Sequence, residues 1–425
     1  MPNPSLLIVP ARFKTGRLYS QIPSNTDNRG DFNVTRATAA TRVNSAGLIE
    51  SVASGIPRLD YFASGGVVGC PALLVEPSGS NSCLQSENFL ITWSPSNISV
   101  STGTTAAFTA PDGTTSADLL TASASGSARI VQSFSFVSGT TYTYSAFAKA
   151  GSGFFGLTLE NGGVASGAAV IWNLNTGALA VSGTAGAGYT LQSQGIEDYG
   201  NGWYRCRMTV LLGRTVAGNM RANTSDGTMS TAIIQSASGN TAYVWGAQLE
   251  TGSVATSYIP TTTAAVTRNA DVISLSGAVS GCIGQASGTI YAEVDIRNIA
   301  GNKVIVNLSN GTADYRLLLQ IQTTNTLYFY TNNGGGVVAI ATGTVTTGTH
   351  KIAASYSSGN VQMYLDGSFL ASGTMSDYPT VSLTDVAIGT RILSGVYGNF
   401  FNDRIRAVAL YTTRLTNAQL QALTT

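Results

Sequence analysis

Short runs of alternating apolar and polar residues cover most of the chain, separated by Gly, Asn, Asp and Ser, and helical periodicity is nearly absent. Side chains of a strand point to opposite faces in turn, so this pattern predicts an all-β protein of antiparallel sandwiches. In the segment Trp203 to Leu212, Tyr204, Cys206, Met208 and Val210 fall on one face, and Trp203, Arg205, Arg207 and Thr209 on the other. Thr141 to Lys149, Ala168 to Leu174 and Thr241 to Glu250 read as further strands, with turns at Asn175-Thr176-Gly177 and Asn201-Gly202. Thr289 to Arg297, His350 to Tyr356, Val361 to Leu365 and Arg404 to Tyr411 repeat the style; the first of these puts Tyr291, Glu293, Asp295 and Arg297 on a polar face and Ile290, Ala292, Val294 and Ile296 on the other, and Asp366-Gly367 is the dipeptide of a two-residue hairpin. The tail holds a helix start: Thr416 and Gln419 have capping-box spacing ahead of Leu420 and Leu423.

At 425 residues the chain exceeds what one hydrophobic core usually holds. Residues 1–81 contain irregular polar stretches, Pro and Gly punctuation and isolated strand-like pieces such as Pro71 to Val75, and read as an extended anchoring arm whose apolar residues need another surface to cover them. Residues 82–263 and 264–425 each hold enough strands for a sandwich.

Charged residues make up only 10% of the chain, and its 48 glycines and many Ser and Thr leave solubility to hydroxyls and amides. A hydrophobic share of 43% argues against disorder. The formal net charge is +1 and no basic stripe is present, so no nucleic-acid partner is expected. Apolar stretches such as Leu6 to Val9 are far shorter than the roughly 20 residues of a membrane helix, so no membrane insertion is expected either. Met1 to Val9 lacks a basic n-region and an adequate h-region, which points to synthesis in a cytoplasm. Cys70, Cys83, Cys206 and Cys282 show no C-x-x-C spacing and give no support for a zinc or redox site. Cys70 and Cys83 are near enough for a local disulfide, but reduced thiols suit a cytoplasmic product better.

Carrying the alternation through Thr143-Ser145-Phe147-Lys149 and Val244-Gly246-Gln248-Glu250 gives faces that mix an aromatic or amide with a charge. If these strands share a sheet, Trp203, Arg205, Arg207, Phe147, Lys149, Gln248 and Glu250 line its open surface. Aromatic rings cover the C–H face of a pyranose while Arg, Gln and Glu satisfy its hydroxyls, so this set is the expected carbohydrate-binding site. An ion pair of Arg205 or Arg207 with Glu250, and a Trp203 covered by the arm, is the alternative. Trp172 and Trp245 are in phase with Val170 and Leu174 and with Tyr243 and Leu249, which assigns them to cores. His350, the single histidine, has no nucleophile motif around it, so no catalytic residue is assigned and the chain is not expected to be an enzyme. Asp314, Asp366, Asp377 and Asp385 lack the spacing of a calcium loop, so no metal or other cofactor is expected.

The series Gly30-Asp31-Phe32-Asn33-Val34-Thr35-Arg36-Ala37, Ile56-Pro57-Arg58-Leu59-Asp60-Tyr61 and Ala72-Leu73-Leu74-Val75-Glu76-Pro77 resembles the N-terminal module of phage tail-fibre, spike and other virion-associated proteins. Gln85-Ser86-Glu87-Asn88-Phe89, Tyr199-Gly200-Asn201-Gly202-Trp203-Tyr204-Arg205, Trp245-Gly246-Ala247-Gln248-Leu249-Glu250 and Ser257-Tyr258-Ile259-Pro260-Thr261 resemble the carbohydrate-binding-module-like jelly roll that follows it. Tyr364-Leu365-Asp366-Gly367 and the Arg406-to-Leu415 strand before the terminal helix resemble a laminin G or concanavalin A-like sandwich. The resemblance implies a structural and host-attachment protein on the surface of a phage or phage-like particle. It would be joined to other virion proteins through the arm, would bind host surface glycan, and would form a homo-oligomer, expected as a trimer. A purely structural head-fibre, collar or decoration subunit is the alternative. A glycan depolymerase is the second, with Glu250 and either Asp198 or Glu160 as the carboxylate pair.

Overall fold

A computed structural model of the chain describes every residue except 24–29, 65, 162–165, 278–279, 336 and 376–378. Strands dominate, as the alternation predicts, and they assemble into two sandwiches. The first consists of two six-stranded antiparallel sheets. One contains Thr241–Thr251, Thr141–Ala150, Trp203–Leu212 and Tyr189–Asp198 side by side, and the other contains Arg129–Phe136, Val216–Ser225, Phe154–Asn161 and Gly167–Asn173. Between the sheets, Tyr144, Leu157, Val170, Trp172, Cys206, Met208 and Val210 are wholly buried. Each such side chain removed from water contributes about 1.5–3 kcal/mol, so the apolar faces legible in the sequence drive this jelly roll together.

The phase of one strand differs from the expectation. Gly246 adopts φ +63°, and the register of Thr241–Thr251 against Thr141–Ala150 slips between Ser145 and Phe147. A strict period of two through Gly246 groups Val244 with Gln248 and Glu250, and Trp245 with Leu249. The extra residue of the bulge exchanges the faces: Val244 joins Leu249 in the jelly-roll core, and Trp245 joins Phe147 and Trp203 on the other side.

The second sandwich pairs an eight-stranded sheet with a nine-stranded one. Ile290, Ala292, Val294 and Ile296 of the strand Ser287–Ile296 enter its core with Leu317, Leu319, Val408 and Leu410. Residues 264–425 do not complete it alone. Leu6–Ile8 pairs with Val408 to Leu410, Gly66–Val75 pairs with the start of Asp403–Tyr411, and Phe32–Thr35 pairs with Val272–Ser276. Leu6, Phe32, Val34, Leu59, Leu73 and Val75 are buried in that same core. The punctuation of residues 1–81 suggests an extended anchoring arm whose apolar residues need another surface; that surface is supplied by the same chain, whose sheets the arm's strands join.

The hairpin of Ala40–Val43 and Ile49–Val52 lies instead against the first sandwich, where Val43 and Ile49 pack with Phe147, Trp203, Trp245 and Tyr258. Where these pieces meet, a cluster of charged side chains is buried. Arg58 bonds Glu76 at 2.7 Å and also Asp271, Arg36 bonds Asp271 at 2.8 Å, and Arg268 lies 3.4 Å from Glu76. Ser257 adds its backbone N–H and hydroxyl to Glu76, each at 2.7 Å. Burial alone would raise the Glu76 carboxyl, but Arg58 and Arg268 outweigh it and hold the group well below the usual carboxylate range. Arg36, Arg58 and Glu76 come from the quoted N-terminal motifs and Ser257 from the jelly-roll series, so those motifs encode the joint between the sandwiches.

Local signals are realised at the tail. Asp366 (φ +48°) and Gly367 (φ +77°) form the two-residue turn between Asn360–Leu365 and Ser368–Gly373. Thr416 and Gln419 form a reciprocal capping box on the helix Asn417–Thr424, whose Leu420 is buried among Tyr291, Tyr364 and Tyr411. Cys70, Cys83 and Cys206 are free thiols, so the local Cys70–Cys83 disulfide does not form.

Candidate functional site

The seven residues expected to line an open sugar-binding surface do share one face of one sheet, but that face is covered. Phe147 and Gln248 are wholly buried, and Trp203, Arg205 and Glu250 are each 2% exposed. Trp203 donates Nε1 to the Thr109 carbonyl at 2.9 Å, while Lys149 stands 5.2 Å over its ring and donates to the Ala107 carbonyl. Arg205 donates to the Thr256 carbonyl and the Ser145 hydroxyl. Glu250 accepts from the Thr256 N–H and from Gln248 Nε2, and burial raises its carboxyl. Phe147, Trp203, Arg205, Gln248 and Glu250 thus hold covering segments of the same chain, and Lys149 caps the Trp203 ring. The physical reason is apolar: Val43, Ile49, Phe62 and Tyr258 remove this aromatic face from water. Alternation along a strand reveals a face without revealing what covers it.

The carboxylates considered for glycan cleavage are dispersed. Glu160 lies on the opposite sheet, is 3% exposed and is paired with Arg221. Asp198 accepts from the Gly200 N–H in a tight turn. His350 bonds Asp366 at 2.7 Å and Thr346, at the start of its strand. Among the described residues no group of three or more His, Cys, Asp or Glu could hold a metal ion, and Asp377 lies outside them.

Lys149 and Trp203 border a cavity of about 220 Å³ and Glu250 one of about 280 Å³, while Arg207 reaches a roomier cleft. A cavity of about 440 Å³ opens between the two sandwiches, a size typical of ligand pockets. The jelly roll contributes Ile196, Glu197 and Arg207, the N-terminal segment contributes Phe62 to Ser64, and the second sandwich contributes Asp295, Arg297, Arg404 and Arg406. Three of the four arginines are held by carboxylates. Arg404 donates to Asp60 at 2.7 Å and lies 4.7 Å over the Phe62 ring. Arg406 donates to Asp295 at 2.8 Å, and Thr349 donates its hydroxyl to the same oxygen at 2.7 Å. Arg297 donates to Asp403 at 3.0 Å and lies 3.7 Å from Glu197. Burial opposes ionisation of Glu197, yet Arg297, Arg207, Arg205 and Arg404 together hold it below the usual range. Arg207 lies across Gly195 of the adjacent strand, where a Cβ would stand only 2.6–2.9 Å from three atoms of its guanidinium. The glycine is what allows the side chain to lie flat there.

Strand alternation identified Asp295 and Arg297 as a polar face. Phe62, Glu197, Arg404 and Arg406 were missed because they meet only through tertiary pairing; Asp60 and Arg404 are 344 positions apart. The available signal was the spacing Arg404-x-Arg406 in a chain with so few charges.

Residues 267–421 match the laminin G-type family profile of the concanavalin A-like lectin/glucanases superfamily, which covers less than half of the chain and agrees with the second sandwich. No curated protein matches the sequence. Among solved structures, the CBM40 domain of the Ruminococcus gnavus IT-sialidase bound to α2,3-sialyllactose is similar at 15% identity and TM-score 0.32, over 35% of this chain and 88% of that one. The NanB sialidase of Streptococcus pneumoniae is similar at 11% identity and TM-score 0.32, over 36% of this chain and 26% of that one. The binding domain of botulinum neurotoxin DC in complex with rat synaptotagmin II is similar at 11% and 0.30, over 36% and 40%. Similarities this distant say nothing of ligand or site.

Proposed function

We propose that the chain is a structural and host-attachment protein of a phage or phage-like particle, a fibre or spike that binds host surface glycan in the cleft between its sandwiches without cleaving it. The observation that carries the reading is the cleft itself. It combines the apolar edge of Phe62 with a fan of arginines and two carboxylates, which is the mixture a sugar's C–H face and hydroxyls require. The resemblance of residues 30–77 to virion-associated modules supports the particle setting. Binding without cleavage is favoured because Glu197 is held below the usual carboxylate range and Asp295 is engaged by Arg406 and Thr349, so neither is suited to donate a proton. Anchoring to neighbouring virion proteins falls to the exposed edge strand Phe13–Lys14 of the nine-stranded sheet and the segment just before it, where Phe13 and Val9 are 37% and 40% exposed. Assembly as a homo-oligomer, expected as a trimer, would multiply weak single-site binding.

The test is size-exclusion chromatography of the full chain mixed with purified bacterial surface polysaccharides, neutral and acidic. Co-elution with any of them supports the adhesin. Failure to co-elute with every one would leave the purely structural head-fibre, collar or decoration subunit.

A further inference from the structure

We infer that the glycan received by this cleft is acidic, and that a single sugar carboxylate docks on the guanidinium of Arg207; this rests on the reading that the cleft binds glycan. Of the four arginines lining the cavity, Arg297, Arg404 and Arg406 already donate to carboxylates at 2.7–3.0 Å. Among the described residues, the Arg207 side chain makes no hydrogen bond and no ion pair within 4 Å. Its donors are therefore uncommitted, although the side chain is half-buried and lies over Gly195. A half-buried guanidinium with uncommitted donors gains most from an incoming acceptor, and its planar fork matches the two oxygens of a carboxylate.

The surroundings favour an incoming anion. Burial works against the charge of Arg207, Glu197 supports it, and the neighbouring Arg297 and Arg205 oppose it, with the net result that its pKa is lowered. A ligand carboxylate supplies the missing compensation. Glu197 and Asp295 would repel a second anion, so the cleft suits one acidic residue flanked by neutral sugars rather than a polyanion such as nucleic acid.

The experiment uses the full chain and a panel of acidic bacterial polysaccharides, each paired with its carboxyl-reduced neutral form, together with natively neutral polysaccharides. Titration calorimetry on the wild type is compared with Arg207→Gln, Arg207→Lys and Gly195→Ala, with thermal melts to establish that each variant is folded. A charged hydrogen-bonded pair of this kind corresponds to roughly 10- to 100-fold in affinity. The expected result is that carboxyl reduction and Arg207→Gln each weaken binding by about that much, that Arg207→Lys restores part of it, and that Gly195→Ala, which leaves the charge in place but displaces it, also weakens binding. Equal binding of native and reduced forms, or of neutral polysaccharides alone, would overturn the acidic class while leaving glycan binding intact. Binding of no polysaccharide at all would overturn both.

Discussion

Glu76→Gln tests the joint between the sandwiches. The substitution keeps the side chain's shape and an oxygen for Ser257, but it removes the charge that faces Arg58 and Arg268, both of which are about 1% exposed or less. Removing one partner of a buried ion pair costs about 3–5 kcal/mol. Arg58 keeps Asp271, so the lower end, about 3 kcal/mol, is the appropriate figure. For folding units of 150–250 residues that corresponds to a fall in melting temperature of roughly 6–12 °C. Calorimetry at pH 7 measures it, with Glu50→Gln as control, because the Arg42–Glu50 pair is partly exposed and should matter by no more than about 0.5 kcal/mol. Glu76 is held below its usual value, so its contribution is complete above about pH 4.5 and is lost as the pH falls below that. The gap between wild type and variant should therefore narrow on acidification. A melting temperature within 1 °C of wild type at pH 7 would refute the argument, as would a gap that widens in acid.

Trp203→Ala should behave as a core truncation, losing about 3–5 kcal/mol in urea unfolding, with Lys149 and the hairpin around Val43 left without their contact. If instead stability is unchanged and only polysaccharide binding is lost, the covered face has been misread. Gly246→Ala places a Cβ 2.9 Å from the Phe147 ring at φ +63°, and should destabilise by more than about 1 kcal/mol; an unaffected melting curve would contradict the bulge. Cys70 is exposed whereas Cys83 and Cys206 are buried with their thiols pushed up by burial, so a thiol reagent at pH 8 should label Cys70 rapidly and the buried pair only on unfolding, as read by peptide mass spectrometry.

What the sequence disclosed was local. The faces of Trp203–Leu212 and Ser287–Ile296, the place of Trp172, the Asp366-Gly367 turn and the Thr416 cap depend on period, propensity and neighbours a few residues away, and each appears in the structure as expected. What it withheld was long-range. Gly246 interrupts a period that looks continuous in the sequence, because a glycine inside a strand can simply be a strand residue or can open a bulge. The aromatic platform around Trp203 satisfied the composition of a sugar site and turned out to be a packing surface, since apolar faces attract whatever the chain brings to them. Phe62 and Arg207 share a cleft only because two separate sandwiches meet there.

The pairing of Leu6–Ile8 with Val408 to Leu410 also governs when the protein can mature. The jelly roll is a contiguous stretch and can fold as soon as it leaves the ribosome, like a cassette spliced into its host domain. The second sandwich, by contrast, must wait with its first strands unsatisfied until the last ones are synthesised. During that interval the apolar strands near the N-terminus are open to mispairing with other nascent chains. A nonsense truncation that removed the final strand and the helix after it would therefore unravel the opposite end of the polypeptide while sparing the middle.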